Sequence, residues 1–344
     1  MFKNEGKSSV IRPADESEVF SPFYLPLKEK LKIWGKKERV IVISGPTGVG
    51  KSRLAVQLAE AIGGEVVSAD SMQVYRGMDI GTAKISGREM DGVKHHLLDV
   101  CEVSRQFNVV DFYNEAHKAV KDIILRNRVP IVVGGSGFYV HVFLYGPPMG
   151  PASIKEVRDF LKKQMEKLGK EALYERLQML DPEYAKKISE GDSTKIIRAL
   201  EIITISKKKV SDFSSGNQLK YDYRNWFLFL PKEELYLKLD ERCDNMVRMG
   251  FIEEVKRLKE EGILDNSSAS LAIGYRQCLK FLAGDGSDES KIFFIEEFKK
   301  ASRHYVKKQF TWFRKENDFR WINLNEISKE RLEELILQDF EQGR

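Results

Sequence analysis

The chain of 344 residues is 42% hydrophobic and 32% charged, which is typical of a soluble globular protein and excludes a disordered or fibrous one. Its formal net charge of +5 permits a nucleic-acid partner without requiring one, and its three cysteines lack the paired spacing of a disulfide scaffold or a thiolate zinc site. Because it has neither a membrane-spanning apolar run nor a signal-peptide pattern, we expect a cytoplasmic protein without a membrane partner.

The N-terminal part of the chain alternates predicted strands with predicted helices. Runs rich in β-branched residues predict strands at residues 39–44, 65–70 and 129–133. Helical patterns cover residues 52–62 and 109–126, between those strands. This alternation predicts an α/β fold with a doubly wound parallel sheet, whose ligands bind at the carboxyl ends of the strands.

A linker rich in proline and glycine at residues 146–151 marks a change of pattern. The residues after it show helical periodicity up to a polar stretch, SDFSSGNQ, and predict a helical insertion subdomain. Strand character returns at residues 225–230 and 320–324. We therefore expect an N-terminal extension (1–38), a core (39–150 and 219–330) interrupted by the helical insertion (151–218), and a C-terminal tail (331–344).

The segment GPTGVGKS, between the first predicted strand and the first predicted helix, has the pattern G-x-x-x-x-G-K-[ST] of the phosphate loop of P-loop NTPases. Glycines let backbone N–H groups turn toward a phosphate, and the N-terminus of the following helix adds partial positive charge. Lys51 is expected along the terminal phosphate oxygens, and the Ser52 hydroxyl is a candidate Mg²⁺ ligand. The motif predicts phosphate binding but no particular reaction. Its residues are Gly45, Pro46, Thr47, Gly48, Val49, Gly50, Lys51 and Ser52.

An acidic residue near this loop is expected to act on the substrate or on a metal ion. In ATPases with such a loop, an apolar strand usually ends in an Asp that holds the metal. Here the strand at residues 129–133 ends in glycine, whereas Asp70 ends another predicted strand and Asp99 follows a histidine pair. Asp70 is therefore a candidate catalytic base or magnesium ligand, and these residues alone leave the choice open.

Further motifs resemble those of the bacterial tRNA dimethylallyltransferases. The resemblance extends from about Val40 to Asn323. Besides the phosphate loop, it rests on SADSMQVYRGMDIGTAK, VGGSGFYV, IIRALE, GYRQ and RHYVKKQFTWFR, which occur in that order. It implies transfer of a dimethylallyl group from dimethylallyl diphosphate to the N6 amine of the adenosine 3′ of the anticodon in tRNA. The phosphate loop would then hold the leaving diphosphate of an allylic donor.

The resemblance also implies roles for individual residues. Asp70 would accept a proton from the adenine amine, while Thr47 and Arg242 would lie at the donor's diphosphate. Mg²⁺ would be the cofactor, the tRNA anticodon stem-loop the partner, and a monomer the expected state. The tRNA-facing residues would be Asp70, Ser71, Met72, Gln73 and Ser136 near the acceptor nucleotide, Arg158, Thr194, Lys195, Ile196, Ile197 and Arg198 in the insertion, and Leu271, Ala272, Ile273, Gly274, Tyr275, Arg276, Arg303 and Lys307 beyond it.

The basic segment at residues 299–315 supports two interpretations on its pattern alone. Basic residues alternate there with Tyr305, Phe310 and Trp312, and no acid interrupts them. This composition suits RNA, through backbone neutralisation and base stacking. It equally suits an amphipathic helix with its aromatic residues in the core and its lysines in solvent.

Three other functions compete with tRNA prenylation. An adenylate prenyltransferase would act on free AMP, ADP or ATP, but the helical insertion and the basic C-terminal blocks speak against a mononucleotide acceptor. An ATP-dependent P-loop kinase is disfavoured because no lid or nucleotide-base motif accompanies the loop. A non-catalytic tRNA-binding protein would not need Lys51, Ser52 and Asp70 together.

Overall fold

The computed structural model describes residues 38–148, 150–213 and 219–342. The predicted N-terminal extension therefore lies outside the described residues except for Glu38, and so do residues 214–218 of the polar stretch and the last two residues of the predicted tail. The described chain divides into two compact units. One contains the sheet, and the other lies between Tyr145 and Leu219.

The first unit is built on a single sheet of six strands, in the order β3-β2-β4-β1-β5-β6. Every neighbouring pair is parallel, which confirms the predicted α/β architecture. The central strands are apolar along their whole length because helices cover both faces of the sheet. The strands are β1 (Arg39–Ser44), β2 (Gly64–Ser68), β3 (His95–His96), β4 (Val129–Val133), β5 (Asp222–Phe229) and β6 (Arg320–Asn323).

Helices of this unit pack on both sides of the sheet. Ile41 and Ile43 of β1 face one core cluster, whereas Val40 and Val42 face the other, as the twofold alternation of a strand requires. The helices are α1 (Lys51–Ile62), α2 (Val109–Leu125), α3 (Gly137–Tyr145), α8 (Lys232–Arg248), α9 (Phe251–Glu260), α10 (Ser267–Ser270), α11 (Tyr275–Phe281), α12 (Asp288–Phe313) and α13 (Lys329–Gln342).

The second unit is helical in its described residues, with a small core of its own. Leu161, Leu173, Leu177 and Leu200 are buried together there. The Asp181 carboxylate caps the third helix by accepting from the Tyr184 N–H, and it also binds Ser211. The helices are α4 (Lys155–Leu168), α5 (Lys170–Leu180), α6 (Pro182–Ala185) and α7 (Ser193–Ser206).

The structure differs from the sequence-based expectations at several points. The strand predicted at residues 225–230 spans Asp222–Phe229. β2 ends at Ser68 instead of residue 70, because Asp70 begins a tight turn. β3 has only two residues, too few to show a periodic pattern. The expected C-terminal tail is corrected to a core helix, α13, in which Leu332, Ile336 and Phe340 lie on one face and pack against the sheet.

Candidate active site

The carboxyl ends of three adjacent strands bring the predicted site together. β4 pairs with β1 and β2 in a register that aligns Val133 with Ile43 and Ser68. The backbones that follow are so close that a Cβ on Gly134 would lie 2.3 Å from the carbonyl oxygen of Ala69. The phosphate loop, Asp70 and Ser136 therefore meet at one edge of the sheet, where a doubly wound fold binds its ligands.

The phosphate loop has a conformation that only its glycines permit. Gly50 has a φ of 90° and precedes α1 directly. A Cβ on Gly45 would lie 2.3 Å from the carbonyl oxygen of Leu228. Lys51 is the first residue of α1, and its Nζ donates to the carbonyl oxygen of Pro46 at 2.8 Å. The lysine is thus folded back along the loop, where a bound anion would meet it.

The electrostatics of the loop favour an anionic ligand. Burial and the nearby Arg242 guanidinium lower the pKa of Lys51 to about 7, and Asp70 opposes this shift. Burial also lowers the pKa of Arg242. Two cations that are partly desolvated and repel each other are both stabilised when a multiply charged anion binds between them.

A cavity of about 300 Å³ opens beside the loop and is lined by side chains of two kinds. Its charged and polar lining includes Thr47, Lys51, Asp70, Arg242 and Gln309. Its apolar lining includes Leu239, Met246, Ile273 and Phe298. Ser52 instead lies in a neighbouring, larger cleft, which Arg242 and Met246 also line. The cavity therefore suits a ligand with a charged head and a short apolar tail.

Asp70, in the wall of the cavity, is held in a defined orientation. Its Oδ1 accepts from the backbone N–H groups of Met72, at 2.8 Å, and Gln73, at 3.4 Å. In the described part of the chain no group donates to its Oδ2. The next residue, Ser71, donates its N–H to the hydroxyl of Ser136 at 3.1 Å. One carboxylate oxygen thus fixes the turn and the other is free to act on a ligand.

Helix α12 contributes one face to the cavity, which the sequence analysis did not identify. Phe298, Ser302, Tyr305 and Gln309 follow one another at intervals of three or four residues and all line the cavity. Burial and the Asp70 carboxylate raise the pKa of Tyr305 to about 12, so its phenol stays protonated at neutral pH. The spacing of these residues was visible in the sequence. The basic residues between them, however, led to two other interpretations, an RNA-binding segment or an amphipathic helix.

Glu254 is a second residue that the sequence analysis missed. This buried carboxylate on α9 accepts from the backbone N–H groups of Asp79, Ile80 and Gly81. It also accepts from the Tyr275 hydroxyl at 2.6 Å. It thereby holds together two segments that line the cavity. No local signal distinguishes it from the other acids of α9, because its partners are more than twenty residues away along the chain.

Other predicted tRNA-facing residues occupy different environments. Leu271, Ala272, Ile273 and Tyr275 line the cavity, whereas Arg276 lies outside it and is exposed. Gly274 has a φ of 84° and lies against the Phe298 ring. Gln73 does not line the cavity itself; its side chain accepts from the Ser68 hydroxyl and donates to the carbonyl oxygen of Thr82, a lining residue.

The basic face of α12 is only partly available to RNA. Arg303 binds both carboxylate oxygens of Asp240, at 2.5 and 2.6 Å, so its charge is neutralised. Lys307 is exposed and pairs with no acid among the described residues. Of the two, Lys307 is the residue whose charge is free for a phosphate.

The predicted tRNA-facing residues of the inserted unit also divide into exposed residues and residues that are buried or bound to an acid. Thr194 and Lys195 are exposed at the start of α7, whereas Ile196 and Ile197 are buried in the unit's core. The prediction therefore needs correction, since the side chains of these two isoleucines do not face solvent. Arg158 and Arg198 both bind the fully buried carboxylate of Glu201, at 3.1 and 2.8 Å.

The competing acid and the histidine pair lie away from the cavity. Asp99 binds Lys84 at 2.5 Å, and His96 binds the buried carboxylate of Glu65 at 2.7 Å. No group of three or more His, Cys, Asp or Glu residues in the described part of the chain has the geometry to hold a metal ion. The described residues also contain no helix that is long and apolar enough to span a membrane.

Fold and site together define a P-loop NTPase-like protein whose phosphate loop opens onto a cavity lined by both charged and apolar side chains. A sequence model of the IPP transferase family matches residues 73–316. The chain belongs to the IPP transferase family.

Similar proteins cover nearly the whole chain. A tRNA dimethylallyltransferase of Protochlamydia amoebophila is 53% identical over 308 residues, which are 89% of this chain and 90% of that protein. The full-length tRNA isopentenylpyrophosphate transferase of Bacillus halodurans superposes with a TM-score of 0.66 at 36% identity, covering 89% of this chain and 98% of its own. A eukaryotic dimethylallyltransferase acting on tRNA has a TM-score of 0.70 at 29% identity, covering 83% of this chain and 74% of its own.

Proposed function

We propose that this protein transfers a dimethylallyl group from dimethylallyl diphosphate to the N6 amine of the adenosine 3′ of the anticodon in tRNA. The observation that carries the proposal is one cavity that the phosphate loop, Asp70 and several apolar side chains line together. The relatives named tRNA dimethylallyltransferase support tRNA as the acceptor.

The charged and polar lining of the cavity would bind the leaving diphosphate. Negative charge accumulates on this group as the allylic carbon–oxygen bond breaks. Donors that are already oriented toward that charge stabilise the transition state more than the ground state. Thr47, Lys51 and Arg242 would supply such donors, since all three line the cavity.

Asp70 would act as the general base. The adenine amine is a weak nucleophile because its lone pair is delocalised into the ring. A carboxylate that accepts an N6 proton during attack raises the electron density on nitrogen as the new bond forms, which typically contributes about 10²–10⁴-fold to the rate. Asp70 Oδ2 is available for this proton, because the turn is held by Oδ1 alone.

The apolar lining of the cavity would receive the dimethylallyl tail and exclude water. A developing allylic cation reacts with any water that reaches it, and side chains that exclude solvent suppress this hydrolysis. Leu239, Met246 and Phe298 form such a wall. The cavity volume of about 300 Å³ accommodates a short prenyl chain, in keeping with a small donor.

The residues present fit a Mg²⁺ ion. This cation prefers oxygen ligands and is usually held by one or two protein groups, with substrate phosphates and waters completing its shell. Ser52, which is exposed at the start of α1, offers its hydroxyl as such a ligand. Mg²⁺ bound there would neutralise charge on the leaving diphosphate.

The acceptor would be the anticodon stem-loop. The target base must leave its stack to reach a buried carboxylate, and loop bases are extruded more readily than paired ones. The exposed charge of Lys307 is suited to the RNA backbone.

The test is incubation of the purified protein with labelled dimethylallyl diphosphate, Mg²⁺ and either unmodified tRNA or AMP. We expect label on tRNA alone, and digestion of that tRNA should yield N6-dimethylallyladenosine. Label on AMP alone would favour the adenylate prenyltransferase. In a parallel reaction that contains ATP, consumption of ATP with neither prenylated product would favour the kinase and overturn the proposal.

A further inference from the structure

Two aromatic side chains are exposed near Ser136, which binds the turn that follows Asp70. Phe138, in the first turn of α3, is 42% exposed, and Trp312, in the last turn of α12, is 38% exposed. Their ring centroids lie 6.0 Å apart at an angle of 65°. Phe310 and Phe313, their neighbours on α12, pack against the core instead. Of the three aromatic residues in the last turn of α12, Trp312 is therefore the one that is exposed.

The backbone of α3 is adapted to Trp312. A Cβ on Gly137 would lie 2.4 Å from Cδ1 of the indole and 2.9 Å from its Nε1. Only glycine lets the ring lie so close to the helix backbone. The His141 ring also contacts Trp312 edge to face, at 6.3 Å between centroids. The indole is therefore held in a fixed orientation although more than a third of it faces solvent.

The position of the pair connects it to the acceptor site. Ser136, which binds the turn after Asp70 through Ser71, immediately precedes Gly137 and Phe138 in the chain. The charges around Trp312 favour an anion. Lys308 lies one helical turn before it and Lys315 follows it by three residues, and neither pairs with an acid in the described part of the chain. Glu316, an acid four residues after Trp312, contacts His141 at 2.9 Å.

We infer that Phe138 and Trp312 form a stacking platform for an unpaired base of the tRNA anticodon loop, next to the adenosine that enters the cavity. Aromatic faces flanked by unpaired lysines are the surface that single-stranded nucleic acid prefers, because every base has a π face and every nucleotide a phosphate. The inference rests on the proposed function, since it assigns this surface to the same RNA.

The test compares binding of two RNAs to the full-length protein. One is an unmodified anticodon stem-loop, and the other is a duplex of the same stem without the loop. We expect Trp312→Ala to weaken stem-loop binding by about tenfold and to leave duplex binding unchanged. Trp312→Phe should retain most of the affinity. Lys308→Ala should weaken both RNAs and reduce the salt dependence of binding.

The matched control is Phe293→Ala, which removes an aromatic ring that is 69% exposed near the other end of the same helix. It should leave both affinities unchanged. Equal losses for Phe293→Ala and Trp312→Ala, or equal losses of stem-loop and duplex binding in Trp312→Ala, would overturn the platform. So would unchanged stem-loop binding by Trp312→Ala.

Two further measurements keep the outcomes distinct. Melting temperature and binding of inorganic diphosphate check that each variant is folded, and Phe138→Ala provides the same test if Trp312→Ala fails to fold. Wild-type protein that binds the stem-loop but transfers no prenyl group would overturn the proposed function and leave the platform standing. Normal prenyl transfer by the wild type, together with unchanged stem-loop binding by Trp312→Ala and Phe138→Ala, would overturn the platform and leave the proposed function standing.

Discussion

Gln309 accepts a hydrogen bond from the backbone N–H of Thr47, at 3.2 Å, across 262 residues of sequence. The same side chain donates through Nε2 to the carbonyl oxygen of Gly135, at 2.8 Å. It is buried and leaves no room for a Cβ on Gly135, which would lie 2.5 Å from Nε2. One amide of α12 therefore ties the phosphate loop to the segment that follows β4.

Replacing Gln309 with leucine should impair binding of the prenyl donor. The change frees the loop at Thr47 and leaves the buried Gly135 carbonyl oxygen without its partner, each effect costing about 1 kcal/mol or more. We expect the KM for dimethylallyl diphosphate to rise about tenfold, with a smaller change in kcat and unchanged tRNA affinity. Steady-state kinetics with each substrate varied in turn measure this separation.

The matched control for this prediction is Gln338→Leu. Gln338 lies on α13, and its buried Oε1 has no partner among the described residues, so leucine there removes no hydrogen bond from the cavity. The control should leave the KM unchanged. A lower melting temperature with normal kinetics in Gln309→Leu would mean that Gln309 supports the fold alone.

Replacing Asp70 with asparagine should separate catalysis from binding. The amide oxygen can still accept from the Met72 N–H, so the turn is retained, but the side chain can no longer accept a proton. We expect kcat to fall by at least about 10², with tRNA affinity nearly unchanged. Alanine at this position would also remove the turn and is the less specific variant.

Binding of inorganic diphosphate to Asp70→Asn checks the role assigned to the carboxylate. If Asp70 is a general base, the substitution should leave the affinity for diphosphate in Mg²⁺ intact or slightly improved, because it removes a negative charge near the anion. A strong loss of Mg²⁺-dependent diphosphate binding would instead identify Asp70 as primarily a metal ligand.

The pH dependence of diphosphate binding should reflect the pKa of Lys51. Its pKa is about 7 in the free protein because burial and Arg242 disfavour the charged form. A bound anion favours that form and raises the pKa. Below pH 7, Lys51 is already charged and adds no pH dependence. Above pH 7, binding must take up a proton, so affinity should fall as pH rises.

Lys51→Arg is the variant that isolates this effect, because a guanidinium stays protonated throughout this pH range. The titration of diphosphate itself is common to both proteins. Calorimetric titration with inorganic diphosphate should therefore show a steeper loss of affinity above pH 7 in the wild type than in the variant. Parallel profiles would show that Lys51 does not titrate on binding.

Replacing Glu254 with glutamine should destabilise the protein and disturb the cavity. Its two oxygens accept from three backbone N–H groups and the Tyr275 hydroxyl, and an amide directs its NH₂ group at some of these donors in either orientation. We expect a loss of about 1–3 kcal/mol in the free energy of unfolding. Urea denaturation measures it, and Glu253→Gln, an exposed neighbour on α9, should cost almost nothing.

The sequence by itself determined the parallel α/β architecture and the position of the phosphate loop. Arg39–Ser44 and Val129–Val133 were predicted with the bounds that the structure has, because buried parallel strands are apolar along their length. The phosphate loop was recognised from the sequence as well, because its glycines, Lys51 and Ser52 act through local backbone geometry. The family resemblance added Arg242 and implied the role of a base for Asp70, and both residues line the cavity beside that loop.

Only the tertiary structure decided which other residues share the cavity with them. Gln309 and Glu254 act through partners 262 and more than 170 residues away, and their helices contain many similar polar residues. The same applies to the exposure of Ile196 and Trp312, because a periodic pattern does not state which face of a helix meets a neighbour. Local motifs specify chemistry that the backbone provides within a few residues, whereas burial and distant hydrogen bonds exist only once the chain has packed.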